Sequence, residues 1–441
     1  MSQAKKRRIY PVGNLAGVKK MRLNWIPLAA CFGPWREQSL RRRLLAASFV
    51  AMLAACGGGG GGGSSAPAPT ANAMVVSVDA GPPGTGYNVN RLYASVTICR
   101  PGSDAACQTI DHILVDTGST GLRVLASALD PALNLPKVAA PSGFPLLNCA
   151  RFVDTTFAWG PVAKADIQLG GRTAANAPFQ IIADPAYNAV AGNCSAGRAV
   201  NSVSVLGAKG ILGLGLLKED CGAACAANPF KGYYFACANS VCSAVLGTTL
   251  ATANQIRNPV LSFPSDNNGV VIDLPAIAGA SASSLSGFVY FGIGTQANNQ
   301  FGGSTVLATN PLGYFSSQFG GKTLGTSFLD TGSNGLYFDT TIAGLTACSG
   351  GTGFFYCPAA STPLSATLTG VNGQSVLLRF TVDNALGLFT TAPNAVLPTL
   401  AGNIGDPQTF DWGLPFFYGR RVFFGIEGQT TPIGTGPFYA F

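Results

Sequence analysis

Two aspartates stand in near-identical surroundings at widely separated points of the chain. The first lies in Ile113-Leu114-Val115-Asp116-Thr117-Gly118-Ser119-Thr120-Gly121-Leu122, the second in Ser327-Phe328-Leu329-Asp330-Thr331-Gly332-Ser333-Asn334-Gly335-Leu336. In each, an apolar run that reads as a buried strand delivers one carboxyl into a turn of Thr, Gly and Ser. Two carboxyls held about 3 Å apart cannot both ionise cheaply, so they share a proton. The ionised one can take a proton from water while the protonated one donates to a carbonyl oxygen. That pair of roles is general acid-base hydrolysis of a peptide bond without a covalent intermediate. Gly118 and Gly332, having no Cβ, let two backbones come close. The hydroxyls of Thr117, Ser119, Thr331 and Ser333 can hold the carboxyls by hydrogen bonds. One Asp-Thr-Gly-Ser alone is usually an ordinary turn; two copies with matching flanks are a stronger signal.

The pair resembles the active-site motifs of the pepsin-like aspartic proteases, and the resemblance runs in order over residues 85–441. It looks closest to the pepsin-like domains of bacterial lipoproteins. It implies an all-β fold: a bilobal double β-barrel with two pseudo-equivalent lobes and a cleft between them. Asp116 and Asp330 would share a proton around a lytic water, and Thr117 and Thr331 would lock the two loops together. Ser119 and Ser333 would bond the outer carboxylate oxygens. The segment Gly210-Ile211-Leu212-Gly213-Leu214-Gly215 resembles the family's apolar-apolar-Gly element, which crosses beneath the catalytic loop. Gly287-Phe288-Val289-Tyr290-Phe291-Gly292 resembles the strand that closes the first half and joins the sheet between lobes. Trp412-Gly413-Leu414-Pro415 resembles the second crossing element, with Pro415 in place of the expected Gly. Arg123 stands where the family usually has Trp. The flap tyrosine has no match, the nearest residues being Phe152 and Val153, neither with a hydroxyl. The resemblance implies a polypeptide substrate, a monomer, no cofactor and no metal.

The elements that must position these groups read as strands. The chain has 441 residues, with 57 Gly, 28 Pro and 10% charged side chains, and long helical periodicity is scarce. The formal charge of +8 misleads, because residues 1–56 hold 11 of the 27 basic side chains and one of the 19 acidic ones. The remainder carries a net charge of −2, so nucleic-acid binding is not expected. Tyr87 to Thr97 and Thr109 to Val115 read as strands flanking a hairpin tip. Phe152 to Gly171 reads as a further hairpin, with strands Phe152–Gly160 and Ala165–Gly171. Thr248–Arg257 is the best helix candidate. Gly313–Phe319 reads as a strand followed by a turn at Lys322–Gly325, and Arg421–Ile426 as the last long strand. The domain reading is a leader over 1–56, a Gly/Ser/Ala/Pro tether over 57–73, an N-terminal lobe over 74–300 with a Cys-rich insertion at 218–247, and a C-terminal lobe over 301–441.

In the leader, Arg41-Arg42-Arg43 precede a twelve-residue apolar run and then Cys56, the pattern of a secretory signal. Leu53-Ala54-Ala55-Cys56 resembles the bacterial lipobox, which implies that Cys56 becomes a lipid-modified N-terminus. The chain would then be exported and held at a membrane, in the periplasm or at the cell surface. The tether would give a reach of roughly 23 Å. An exported chain pairs its cysteines. Cys99 with Cys107 and Cys348 with Cys357 are expected local pairs. Cys149 with Cys194, and a nested set among Cys221, Cys225, Cys237 and Cys242, are the further candidates. A four-thiolate zinc site at 221–242 is the competing idea. His112 is the only histidine, and a place on a strand surface is its expected role. Three functional readings follow: a membrane-tethered aspartic endopeptidase, a binding or inhibitory protein that kept the fold without the activity, and, on composition alone, a passive surface protein.

Overall fold

The structure is a computed structural model that describes residues 72–441, apart from 193, 196, 223–232, 239–240, 245–249, 340, 342–343 and 392. The expected signal and lipobox through Cys56, and the tether up to residue 71, lie outside the described residues. The described chain is all-β, and its helices are short turns such as Val203–Leu206 and Ala385–Phe389.

Fifteen strands form the larger sheet among the described residues, and seven form a second. Strand faces follow period-two patterning. Leu285–Phe291 buries Gly287, Val289 and Phe291 and leaves the residues between them partly exposed. The strand Cys107–Asp116 starts half exposed but buries all of Ile113 to Asp116, because neighbours cover both of its faces there.

One local arrangement occurs twice. Cys107–Asp116 runs parallel to Gly210–Leu214, which pairs antiparallel with Thr120–Leu125, the strand that leaves the first Asp loop. Lys322–Leu329 likewise runs parallel to Phe410–Trp412, which pairs antiparallel with Leu336–Phe338. In both places a crossing strand is threaded between the strand that enters the Asp loop and the strand that leaves it. The registers align Val115 with Leu329 and Leu212 with Trp412. Gly413 is therefore the counterpart of Gly213, and Pro415 that of Gly215.

The larger sheet joins the two halves. Gly269–Leu274 pairs with Leu285–Phe291 on one side and with Arg420–Gly425 on the other. Arg420–Gly425 in turn pairs with Phe438–Ala440, which pairs with Val306–Ala308. In the second half, Phe410 and Trp412 stack with ring centroids 3.9 Å apart, and Phe319, Phe338 and Phe380 close round them. That aromatic cluster anchors the strand from which the second crossing is made.

Several expectations are corrected. Ala73 opens the strand Ala73–Val78, and both Asn72 and Ala73 are buried, so the tether is shorter than 57–73. The strand expected from Tyr87 to Thr97 runs instead from Leu92 to Cys99. The hairpin expected over Phe152 to Gly171 is one continuous strand, Phe157–Leu169. Residues 152–156 form the turn before it, where Asp154 Oδ1 accepts from the Thr156 amide and hydroxyl, a local bond that favours turns. The turn expected at Lys322–Gly325 sits at Gly320-Gly321, both at positive φ, and Lys322 already opens a strand. The helix expected at Thr248–Arg257 is absent from its described part, which holds only the 3-10 turn Thr252–Asn254. Gln255 instead spends its side chain on the backbone of Gly222. Asn258 precedes Pro259 and is held extended at ψ 117°.

Disulfides join Cys99 to Cys107, Cys149 to Cys194, Cys237 to Cys242 and Cys348 to Cys357. Cys221 is also disulfide-bonded, and Cys225 lies outside the described residues. A four-thiolate zinc site is overturned by these bonds, which consume thiols it would need. The described part of the Cys-rich insertion adds the strands Tyr234–Ala238 and Val241–Ala244 to the edge of Leu146–Arg151.

Candidate active site

The two entering strands end at Asp116 and Asp330, and their loops meet. The Thr117 amide donates to Thr331 Oγ1 at 3.1 Å, and the Thr331 amide donates to Thr117 Oγ1 at 2.9 Å. Each hydroxyl then donates onward into the opposite half, Thr331 to the Val115 carbonyl at 2.7 Å and Thr117 to that of Leu329 at 3.4 Å. Thr117 and Thr331 are 3% and 0% exposed, so water does not compete for these bonds.

This lock brings the carboxyls into contact. The Gly118 amide donates to Asp116 Oδ1 at 2.9 Å and to Asp330 Oδ1 at 3.0 Å, so one N–H serves both groups. The Gly332 amide donates to Asp330 Oδ1 at 2.7 Å. On the outer side, Ser119 Oγ donates to Asp116 Oδ2 at 2.5 Å and Ser333 Oγ to Asp330 Oδ2 at 2.8 Å. All eight residues picked out by type and spacing therefore converge on one place. Burial, then the charge of Asp116, then that of Asp411, holds the Asp330 carboxyl well above the usual carboxylate range. Its proton is also in a side-chain hydrogen bond with Asp116. Chemically, the site is a pair of carboxyls that hold a proton between them.

The crossing strands back the loops. The Gly215 amide donates to the Ser119 carbonyl at 2.9 Å. Its counterpart Pro415 has no N–H, and the matching bond to the Ser333 carbonyl comes from the Leu414 amide at 2.7 Å. A Cβ on Gly413 would lie 2.1 Å from the Gly335 carbonyl oxygen, so this position tolerates only glycine.

The chain belongs to the family described as a protein of unknown function, DUF3443, whose model matches residues 68–441. A search among curated proteins finds no match. The matched stretch spans both Asp-Thr-Gly-Ser segments and every strand described above.

Three groups near the site were missed in the sequence reading. Asp411, in the second crossing strand, is 4% exposed and its Oδ2 lies 2.6 Å from Ser333 Oγ. Burial, with Asp116 adding, pushes its carboxyl up to about 8. The only sequence signal is an acid inside the apolar run Phe410-Asp411-Trp412, where the first half has Ile211. Asn90, buried at φ 49°, ties the N-terminal half to the second loop. Its Nδ2 donates to the carbonyls of Asn334 and Leu397, and its Oδ1 accepts from the Leu397 amide and the Tyr418 hydroxyl. Asp220 pairs with Arg123 at 3.2 Å, and Tyr234 and Asn148 also donate to it. That network fills the place of the expected Trp with buried charge.

Other singled-out residues lie elsewhere. His112 faces Asp111 at 2.8 Å and meets the Tyr93 ring edge-on. Trp159 packs against Phe235 and donates its indole N–H to the Tyr187 carbonyl, a packing role.

Proposed function

We propose that the chain is an aspartic endopeptidase of the pepsin-like type, a double β-barrel whose two lobes each supply one carboxyl to a cleft. The observation that carries this reading is the single Gly118 amide shared by Asp116 and Asp330 inside a reciprocal threonine lock. Asp330, holding the proton, donates to the carbonyl oxygen of the scissile peptide. Asp116 takes a proton from the attacking water, and the water oxygen adds to the carbonyl carbon to give a tetrahedral diol. The proton taken by Asp116 then passes to the leaving nitrogen. A hydroxyl proton returns to Asp330 as the C–N bond breaks, so the dyad ends as it began. The substrate is a polypeptide. The basic-then-apolar leader and the lipobox-like Leu53-Ala54-Ala55-Cys56 support a site of action outside the cytoplasm on a lipid anchor.

The test is cleavage of an unfolded protein substrate over a range of pH. Asp330→Asn is expected to abolish turnover, and unchanged turnover would reject the assignment. A second reading, a binding protein with the same fold, is favoured by the turn at 152–156. There Val153 is 73% exposed at the tip and no tyrosine hydroxyl is offered. Pepstatin affinity separates the two readings: a competent dyad binds it, and a site that has lost catalytic geometry does not.

A further inference from the structure

The Ser333 hydroxyl is asked to serve two acids. Its Oγ lies 2.8 Å from Asp330 Oδ2 and 2.6 Å from Asp411 Oδ2. A serine has one hydrogen to give. If both carboxyls were ionised, one of these short contacts would set a lone pair against an anion. One acid must therefore carry a hydrogen and donate it to Oγ.

The surroundings decide which. Asp330 Oδ1 accepts from two amides, those of Gly332 and Gly118. Asp411 Oδ1 is buried with no hydrogen-bond partner. An ionised carboxylate without donors is the costlier of the two to bury. The titratable groups facing Asp411 are Asp330 and Asp116 on the loops, Tyr337 on the adjacent strand and Tyr439 on the C-terminal strand. Arg91 is felt at Tyr337. Burial disfavours a negative Asp411 and the charge of Asp116 adds to that, outweighing the Ser333 hydrogen bond, which favours the ionised form.

We infer that Asp411 is a third acid of this site: it keeps a proton on Oδ2, gives that hydrogen to Ser333 Oγ, and so commits the serine's own hydrogen to Asp330 Oδ2. The chain Asp411 to Ser333 to Asp330 then runs in one direction, and three carboxyls hold two protons and one charge. The equivalent position in the first half is Ile211, so Ser119 has no such partner and the two halves differ here. Asp411 is a positioning residue, since it acts on Asp330 only through Ser333. Its consequence for catalysis rests on the peptidase reading; its protonation does not.

Two measurements on the full chain test this. In the first, carboxyl 13C resonances of aspartate-labelled wild type and Asp411→Asn are followed with pH. The resonance missing from the variant should stay protonated at pH 7 and titrate near 8. If it titrates below pH 5, the inference is overturned. In the second, kcat is compared for Asp411→Asn, whose amide can still donate to Ser333, and Asp411→Leu, which cannot. The Asn variant should keep kcat near wild type while the Leu variant loses about tenfold with little change in KM. Equal kcat in the two variants overturns the positioning role. A wild type that cleaves no peptide would end the peptidase reading and leave the resonance to decide the proton.

Discussion

Contact between the two carboxyls depends as much on missing atoms as on present ones. A Cβ on Gly118 would stand 2.8 Å from Asp330 Cγ, and one on Gly332 would stand 2.6 Å from Asp116 Oδ1. Neither distance is tolerable, and what each Cβ meets is the opposite carboxylate. Gly118→Ala should therefore push Asp330 outward, and a displacement near 1 Å costs about 10²-fold in rate. We expect kcat/KM to fall by that order and pepstatin binding to weaken alongside, with the unfolding temperature little changed. Wild-type activity in the Gly118→Ala variant would mean that the two carboxyls do not work together. These groups were readable in the sequence because the motif is local: carboxyl, amide and hydroxyl lie within three residues. Asp411 and Asn90 were not readable. Their partners at the site lie 78 and 244 positions away, and no short window contains both ends.

At the scale of elements, a buried ion pair fixes the strand that leaves the first loop. Arg123 on Thr120–Leu125 and Asp220 have side chains only 3% and 8% exposed. Tyr234, in the insertion, bridges them to the segment that follows it, donating to Asp220 Oδ1 and accepting from the Ile256 amide at 2.6 Å each. Removing one member leaves the other charge buried and alone, so Asp220→Asn should cost about 3–5 kcal/mol in urea unfolding. The double change Arg123→Met with Asp220→Leu should cost less than the single one, and a larger loss would contradict this account. Burial pushes Asp220 up to about 6 despite Arg123, against 3.8 for an ordinary Asp. The folded chain thus binds this proton more tightly than the unfolded one. The contribution is full below about pH 4 and declines as pH rises to about 6, and Asp220→Asn should flatten that part of the stability profile. The sequence reading singled out Arg123 but not its partner, because the partner sits in an insertion. The misread helix has a related cause. Thr252 and Asn254 are weak helix formers, and what decides the segment is a side-chain bond from Gln255 to Gly222, 33 positions distant. The strands were readable because alternation is local, whereas the turn positions depended on Gly320-Gly321 and on one Asx bond.

For the whole molecule, the two Asp loops keep their register only if the halves cannot slide, and the shared sheet is what prevents sliding. Its last strand, Phe438–Ala440, pairs with both Arg420–Gly425 and Val306–Ala308. Phe438, Tyr439 and Ala440 are at most 3% exposed. Tyr439 also donates its hydroxyl to the Gly313 carbonyl, at the start of the strand region leading to Asp330. Burying two aromatic side chains is worth about 2–3 kcal/mol each. Deleting Phe438 to Phe441 should then lower the unfolding temperature by roughly 10 °C. The same deletion removes the Tyr439 hydroxyl bond to the Gly313 carbonyl, ahead of the strands that lead to Asp330, so pepstatin affinity should fall further than the loss of folded protein explains. Thermal unfolding, together with a pepstatin titration carried out below the variant's unfolding temperature, separates the two effects. Unchanged values of both would mean that the terminal strand is not what holds the two halves, and with them the two carboxyls, in place.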